Sequence, residues 1–159
     1  MGELYRTTID SPIGTLVLVG DETGLRHLHF PDDHARVNAE AVEDPKRFTD
    51  ALEQLDVYWS GEEIEFDLPL APRGTPFREK VWDALRGVPY GTRVGYGEIA
   101  RRVGKPSAAR AVGGACGSNP LPILIPCHRI VGASGALTGF GGGLPIKKKL
   151  LAIESQTGK

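Results

Sequence analysis

Cysteine is scarce in this sequence, and long apolar runs are absent. The 159 residues include two cysteines, Cys116 and Cys127, which are too few for a disulfide framework or a four-cysteine zinc site. No apolar run approaches the roughly 20 residues that cross a bilayer, and the N-terminus lacks the basic and apolar regions of a secretory signal. We therefore expect a soluble, cytoplasmic protein with reduced thiols and no membrane contact.

Acidic and basic residues are divided unequally between the two halves of the chain. Residues 1–75 contain 6 Lys/Arg and 16 Asp/Glu, whereas residues 76–159 contain 13 Lys/Arg and 4 Asp/Glu. A basic half is typical of a protein that binds a polyanion, because each Lys or Arg that meets a phosphate releases condensed counterions. A solvated surface that happens to be basic explains the charge equally well. Charge alone makes nucleic acid a candidate partner.

The acidic half predicts a small sheet followed by a helix. Its first thirty residues contain three short segments rich in aliphatic, β-branched and aromatic residues, separated by turn signals, which predicts a β-meander. The segments are residues 4–9, 15–19 and 25–30. Apolar residues at helical spacing predict a helix between Asp44 and Gly61, and alternating apolar residues predict a further strand over 64–68.

The basic half predicts mainly helices. The segments 96–103 and 108–116, joined by Gly104-Lys105-Pro106, are typical of a helix-turn-helix. The second helix consists almost wholly of Ala, Gly and Val around Arg110. Such a surface lets the backbone approach a partner closely, although tight packing between helices explains the small residues equally well. A final helix is predicted over 144–154, with three exposed lysines at 147–149.

These elements predict an α/β fold of the α+β type. A small N-terminal domain over residues 1–72 would contain the β-sheet and a helix. A mainly helical domain with the helix-turn-helix would follow over residues 73–159.

Cys127 and His128 are adjacent, between Pro126 and a glycine-rich segment. A thiol near its ordinary pKa of about 8.5 is mostly protonated at neutral pH, and a histidine oriented by a carboxylate can accept its proton. His128 is therefore the candidate base and Glu154 the candidate carboxylate. A cysteine beside a histidine is also common as a packed thiol, so this pattern leaves both interpretations open.

Longer strings surround Cys127. They are AARAVGGA at 108–115, SNP at 118–120 and IPCHRI at 125–130, preceded by GTPF at 74–77 and YGEIA at 96–100. Together they closely resemble the O6-alkylguanine-DNA alkyltransferase family, densely from about residue 72 to residue 154 and loosely before that. Members of that family transfer an alkyl group from O6 of guanine in DNA to one of their own cysteines, once per molecule and without a cofactor.

The resemblance implies the roles of the reacting residues. Cys127 would accept the alkyl group, His128 would deprotonate Cys127 through a water, and Glu154 would hold His128. Asn119 would tie together the turn before an active-site strand. Without the resemblance, Asn119 is an ordinary turn residue that precedes Pro120.

The resemblance also implies contacts with DNA. Arg110 would enter the base stack in place of an extruded nucleotide, and Tyr96 would help rotate that nucleotide and donate a hydrogen bond to its base. Lys105 and Ala133 lie at further DNA-contact positions. The residues alone are equally compatible with a phosphate contact for Arg110 and a half-buried helix position for Tyr96.

The resemblance implies that backbone groups recognise the base. The carbonyls of Cys127 and Ile130 would accept hydrogen bonds from the exocyclic amine, and the Gly141 amide would donate one to O6. Phe140 would wall the pocket at a position where family members commonly have tyrosine, so the hydrogen bond of that hydroxyl is missing here.

The predicted partner is duplex DNA that contains O6-alkylguanine, with O4-alkylthymine as an alternative substrate, and the protein is expected to act as a monomer. No metal and no cofactor are predicted, because the N-terminal half has no cysteine and its three histidines make a weak zinc set. A non-catalytic sensor of alkylated DNA is the main alternative, although such relatives lack the cysteine. A transcriptional regulator is a second alternative, but a helix of Ala and Gly has few side chains to read bases. A cysteine hydrolase is a third.

Overall fold

A four-stranded sheet forms the first part of the chain, for which a computed structural model describes residues 3–132 and 143–155. Its strands are β1 (Tyr5–Ser11), β2 (Gly14–Asp21), β3 (Gly24–His29) and β4 (Val42–Glu43). The order is β3-β2-β1-β4, with β4 parallel to β1 and the other pairs antiparallel. The predicted meander is confirmed by the antiparallel pairing of β1 with β2 and of β2 with β3. In the turns between these strands, Gly14 and Gly24 adopt φ of 109° and 150°, values that favour glycine.

Helix α1 (Thr49–Trp59) packs its apolar side on this sheet. It follows a short 3-10 helix at Pro45–Phe48, and the chain turns away at Gly61 with φ of 88°. The helix predicted between Asp44 and Gly61 is therefore confirmed, with a 3-10 first turn.

The strand predicted over residues 64–68 is wrong. The Asp67 amide donates to Gln54 Oε1 at 2.8 Å and the Gln54 side chain donates to the Asp67 carbonyl at 3.1 Å, so this backbone is bonded to a side chain of α1. Pairing with the sheet is limited to one bridge between Leu70 and Leu25. The alternating apolar residues face the core without a neighbouring strand.

The second part of the chain is mainly helical. Its elements are α2 (Pro76–Arg86), β5 (Val94–Gly95), α3 (Tyr96–Arg102), α4 (Ala109–Gly117), β6 (Ile130–Val131) and α5 (Leu144–Ser155). Thr75 Oγ1 caps α2 by accepting a hydrogen bond from the Arg78 amide at 3.2 Å. Helices α3 and α4 are in contact across a short connection, and their assignment as a helix-turn-helix stays a prediction.

One buried cluster joins the two parts of the chain. It contains Leu16 and Leu55 from the first part together with Leu85 and Leu150 from the second. The Leu28 amide of β3 also donates to the backbone of the segment after α4, at 2.9 Å. The sheet therefore supports the segment that leads to Cys127.

Within residues 3–132 and 143–155, no helix is long and apolar enough to span a membrane. The same residues contain no group of three His, Cys, Asp or Glu side chains arranged to hold a metal ion.

Candidate active site

A tightly turned segment presents Cys127. The Ile125 amide donates to the Leu121 carbonyl at 2.8 Å, and the Cys127 amide donates to the Ile125 carbonyl at 2.8 Å. Ile123 is fully buried with φ of 75°, a left-handed conformation that costs a β-branched residue on the order of 1–3 kcal/mol. Packing of Ile123 in the core holds this strained turn.

Cys127 begins a 3-10 helix, Cys127–Arg129, and does not lie on a strand. The expectation of an active-site strand is therefore wrong at this position. Pro126 has no N–H to donate to a ladder, and pairing begins only at Ile130, which lies opposite Val94 of β5. The short helix turns the side chain of Cys127 toward Asn119 and that of His128 toward α5.

The Asn119 side chain closes the turn from the other side. Its Nδ2 donates to the Ile125 carbonyl at 2.8 Å, and its Oδ1 accepts from the Leu121 amide at 2.9 Å. Both ends of the amide are therefore bonded to the segment that carries Cys127.

His128 and Glu154 form a buried pair. Nε2 of His128 lies 2.5 Å from Oε2 of Glu154, and the two side chains are 0% and 1% exposed. Nδ1 of His128 is buried and has no hydrogen-bond partner among the residues that the structure describes. An ionised carboxylate only accepts, so a neutral imidazole here carries its proton on Nε2 and has a free lone pair on Nδ1.

The electrostatics of the pair favour a neutral histidine beside an ionised carboxylate. Burial lowers the pKa of His128, and the hydrogen bond and charge of Glu154 offset this only in part. Burial would raise the pKa of Glu154, but the hydrogen bonds and charges of His128 and Arg129 outweigh it and lower the value to about 2. His128 is therefore neutral at neutral pH, and its Nδ1 lone pair carries no proton.

The thiol of Cys127 needs such a base. Burial raises its pKa to about 11, although the Asn119 hydrogen bond and the Lys147 charge act in the opposite direction. A thiol with this pKa is protonated at neutral pH and is a weak nucleophile until its proton is removed.

Glu154 accepts three further sets of hydrogen bonds. Arg129 donates through Nε to Oε1 at 2.8 Å and through Nη2 to Oε2 at 3.1 Å. The Gly91 amide donates to Oε1 at 3.2 Å. The Tyr58 hydroxyl donates to Oε2 at 2.7 Å and lies 3.4 Å from Nε2 of His128. The carboxylate is thus held at both oxygens, by residues from both parts of the chain.

Lys147 is buried, which corrects the prediction that the lysines at 147–149 are exposed. It is 1% exposed, and its Nζ donates to the Ile130 carbonyl at 2.7 Å. Helix α5 turns this lysine inward because the bonded carbonyl compensates the ammonium, and Leu144 at the start of the helix is 40% exposed. A carbonyl oxygen has two lone pairs, and Lys147 occupies one of those on Ile130.

The exposed face of α4 consists of small residues and Arg110. Ala111, Gly114 and Gly117 are exposed on this face, and Val112 is buried on the opposite face. A Cβ added at Gly114 or Gly117 would meet no described atom within 4 Å. Packing within the described chain therefore does not require glycine at these two positions.

Tyr96 and Lys105 lie next to this face. Tyr96 begins α3, is half-buried, and its Cε1 lies 3.7 Å from the place of a Cβ on Gly113. Lys105 is exposed in the connection between α3 and α4. Tyr96 and Lys105 therefore lie in or beside the helix pair that carries Arg110, whereas Cys127 lies in the segment that follows α4.

Comparison with known families accounts for nearly the whole chain. Residues 4–72 match the ribonuclease-like domain of 6-O-methylguanine DNA methyltransferase, and residues 76–156 match the DNA-binding domain of the same protein. The chain belongs to the 6-O-methylguanine DNA methyltransferase family. A relative from Mycolicibacterium paratuberculosis, called methylated-DNA–protein-cysteine methyltransferase, is 50% identical over 94% of this chain and 91% of its own. A relative of the same name from Methanosarcina acetivorans is 45% identical over 95% and 98%.

Solved structures of the family have the same fold. The Mycobacterium tuberculosis OGT in complex with DNA is 48% identical, with a TM-score of 0.89 over 96% of this chain and 93% of its own. The O6-methylguanine methyltransferase of the same organism has a TM-score of 0.88 at 47% identity over the same shares. The predicted α+β fold is therefore confirmed.

The candidate site contains residues that the sequence analysis did not identify. Tyr58, Arg129 and Lys147 surround the pair of His128 and Glu154 or the base of the Cys127 turn. Arg129 lies within the string IPCHRI, which carries the family resemblance, so the sequence could have indicated it as a site residue. Tyr58 has no such signal, because its partner is 96 residues away.

Three of the predicted site residues lie outside the described residues. They are Ala133, Phe140 and Gly141.

Proposed function

We propose that this methyltransferase repairs DNA directly, by removing the alkyl group from O6 of guanine in a duplex and bonding it to Cys127. One observation carries the proposal. A buried thiol is followed in the chain by a buried imidazole whose Nδ1 lacks a partner within the described residues and whose Nε2 is bonded to Glu154. This arrangement is suited to removing the proton from Cys127.

The transfer is a nucleophilic displacement. The Cys127 proton passes to Nδ1 of His128 through a water, and Glu154 stabilises the imidazolium that forms. Sγ then attacks the alkyl carbon, the bond between that carbon and O6 breaks, and its electron pair stays on the base. The imidazolium of His128 releases its proton and the guanine anion takes one up, so guanine is restored and Cys127 becomes a thioether. Since the thioether is not reversed, each molecule acts once.

The target base must leave the duplex before it can reach Cys127. Extrusion of a nucleotide costs a few kcal/mol, which contacts along the helix pair must supply. The small exposed residues of α4 let its backbone lie close to DNA, and Arg110 projects from the same face to fill the vacated space. Tyr96 turns the nucleotide and donates to its base, while Lys105 contacts the backbone of the DNA.

Recognition of the extruded base is assigned to Ile130, Phe140 and Gly141. The Ile130 carbonyl accepts from the exocyclic amine through its second lone pair, since Lys147 occupies the first. Phe140 and Gly141 are proposed on the family resemblance alone, as is a DNA contact at Ala133. The proposed partner is double-stranded DNA, which the protein meets as a monomer in the cytoplasm.

Intact-protein mass spectrometry tests the proposal. The protein is mixed with a duplex that contains one O6-methylguanine, and Cys127→Ala and Cys116→Ala variants are treated in the same way. Cys116 is a matched control because it is the second thiol of the chain and is partly buried, with its pKa raised to about 12 by burial. We expect one added methyl on the wild type and on Cys116→Ala, and none on Cys127→Ala.

The other outcomes identify the alternatives. An unchanged mass with tight binding to the damaged duplex would indicate a non-catalytic sensor. A methyl on Cys116 would reject Cys127 as the acceptor. A parallel duplex with O4-methylthymine reports whether that base is a substrate.

A further inference from the structure

Tyr58 places a phenolic hydroxyl from the first part of the chain inside the proposed proton relay. It lies in the last turn of α1 and is fully buried. Its hydroxyl contacts Glu154 Oε2 at 2.7 Å and lies 3.4 Å from Nε2 of His128. The ribonuclease-like match ends at residue 72, so this contact joins the two matched regions at the site itself.

The hydroxyl acts as a donor to the carboxylate. Burial and the negative charge of Glu154 raise the pKa of Tyr58, so the phenol is protonated at neutral pH. An ionised carboxylate only accepts, which fixes the direction of this hydrogen bond. Tyr58 and His128 therefore donate to the same oxygen, Oε2 of Glu154.

A buried tyrosine usually finds a partner for its hydroxyl, so a hydrogen bond alone does not make Tyr58 part of the chemistry. Here the partner is the carboxylate that sets the tautomer and charge of His128. A donor on Oε2 draws negative charge away from the bond to the imidazole and restrains the carboxylate in the position that keeps Nδ1 free. Removal of the hydroxyl would therefore change both the position and the basicity of His128.

We propose that Tyr58 is a positioning residue for alkyl transfer, which acts through Glu154 to hold His128 in the orientation and neutral state that deprotonation of Cys127 requires. The inference rests on the proposed function. It gives the first part of the chain a role in the reaction, in addition to its packing against the second part.

The charged and titratable groups around His128 affect its pKa and therefore the pH dependence of the transfer rate. Glu154 and Lys147 face it from α5, Tyr58 faces it from α1, and Arg129 belongs to the same short helix. Lys147 and Arg129 are cations, whose charge lowers the pKa of His128. Only the Tyr58 hydroxyl is removed in the test. A shift in the acidic limb of the profile of rate against pH therefore reports the effect of that hydroxyl on the pair of His128 and Glu154.

The test is the single-turnover rate of methyl transfer, measured against pH for the wild type, Tyr58→Phe and Tyr90→Phe. Tyr90 is a matched control, because its ring lies 5.9 Å from that of Tyr58 and its hydroxyl contacts the Ile153 carbonyl at 3.4 Å. We expect Tyr58→Phe to bind DNA normally and to react about tenfold more slowly, as for loss of one hydrogen bond to a charged group. Its acidic limb should move to higher pH, because Glu154 then stabilises the imidazolium more strongly.

A second variant keeps the ring, the hydroxyl and the fold. Substitution of Tyr58 by 3,5-difluorotyrosine makes the phenol a stronger donor, so it should move the acidic limb to lower pH. Opposite shifts for phenylalanine and difluorotyrosine would not arise from a purely structural role.

Each outcome decides the inference. A normal rate and a normal pH profile for both Tyr58 variants would overturn it. So would equal losses of rate in Tyr58→Phe and Tyr90→Phe that correlate with losses of thermal stability. Failure of the wild type to accept a methyl would instead overturn the proposed function.

Discussion

At the scale of single residues, the site depends on buried polar groups, most of which are hydrogen-bonded. A buried polar group without a partner costs about 1–3 kcal/mol, and Lys147 and the Ile130 carbonyl avoid that cost by bonding to each other. The same lysine lowers the pKa of Cys127 through its charge. Lys147 therefore contributes to stability and to reactivity.

Replacement of Lys147 by methionine tests the role of its buried ammonium, and the same change at the exposed Lys148 is the control. We expect Lys147→Met to lose about 1–3 kcal/mol in the free energy of unfolding, because the Ile130 carbonyl is left without its donor. The pKa of Cys127 should rise further, which slows transfer most at neutral pH. Urea unfolding and the pH dependence of the single-turnover rate measure the two effects. Lys148→Met changes the same charge at an exposed position and should retain wild-type stability.

At the scale of elements, α4 illustrates what a pattern of residues leaves undecided. Its small residues predict a close approach by a partner or tight packing between helices. A Cβ at Gly114 or Gly117 would meet no atom of residues 3–132 and 143–155 within 4 Å. Packing among these residues therefore does not require glycine at the two positions.

Enlargement of Gly114 tests whether DNA uses this face. Gly114→Leu should unfold at a higher urea concentration, because glycine in a helix is about 0.8–1.0 kcal/mol less favourable than alanine and leucine is a good helix former. Its affinity for duplex DNA should fall at least tenfold, since the side chain keeps the backbone away from the phosphates and bases. Ala152→Leu adds similar bulk at an exposed position of α5 and should bind DNA normally. Unchanged affinity of Gly114→Leu would place the DNA elsewhere.

Elements with strong local signals could be predicted from the sequence, and those decided by distant contacts could not. The meander and α1 are bounded by glycine turns or a proline start, which are local. Residues 64–68 alternate like a strand, but Gln54 takes up the backbone of Asp67. Lys147 is polar like its neighbours, and only the Ile130 carbonyl shows why it is buried. Cys127 and His128 were found because they are adjacent, whereas Tyr58 was missed because its partner lies far away in the chain.

At the scale of the whole molecule, one buried cluster includes Cys127, the proposed nucleophile. Cys127 is 6% exposed and belongs to the same cluster as the residues of the sheet and α1. The division at residues 72 and 73 stays a prediction, and this cluster crosses it. A change at Cys127 should therefore affect the stability of the entire chain.

Alkylation is expected to destabilise the protein. An added group on Sγ must displace neighbours in the Asn119 turn, and overpacking of this kind costs about 1–3 kcal/mol. Each kcal/mol moves the melting midpoint by about 2–4 °C in a chain of this size. Thermal melts before and after reaction with a methylated duplex measure the shift, with Cys127→Ala exposed to the same DNA as the control. Equal midpoints for the reacted and unreacted wild type would reject the prediction.

The unequal charge of the two halves has a further consequence, because the shared core holds them in a fixed relation. Residues 1–75 carry 16 acidic and 6 basic side chains, and residues 76–159 carry 4 acidic and 13 basic ones, so the molecule has a permanent electric dipole. Near a DNA duplex, the field exerts a torque that turns the basic end toward the helix before contact. This torque shortens the rotational search for the productive orientation during encounter. The effect is strongest at low ionic strength, because salt screens the field beyond a Debye length of about 8 Å at about 0.15 M.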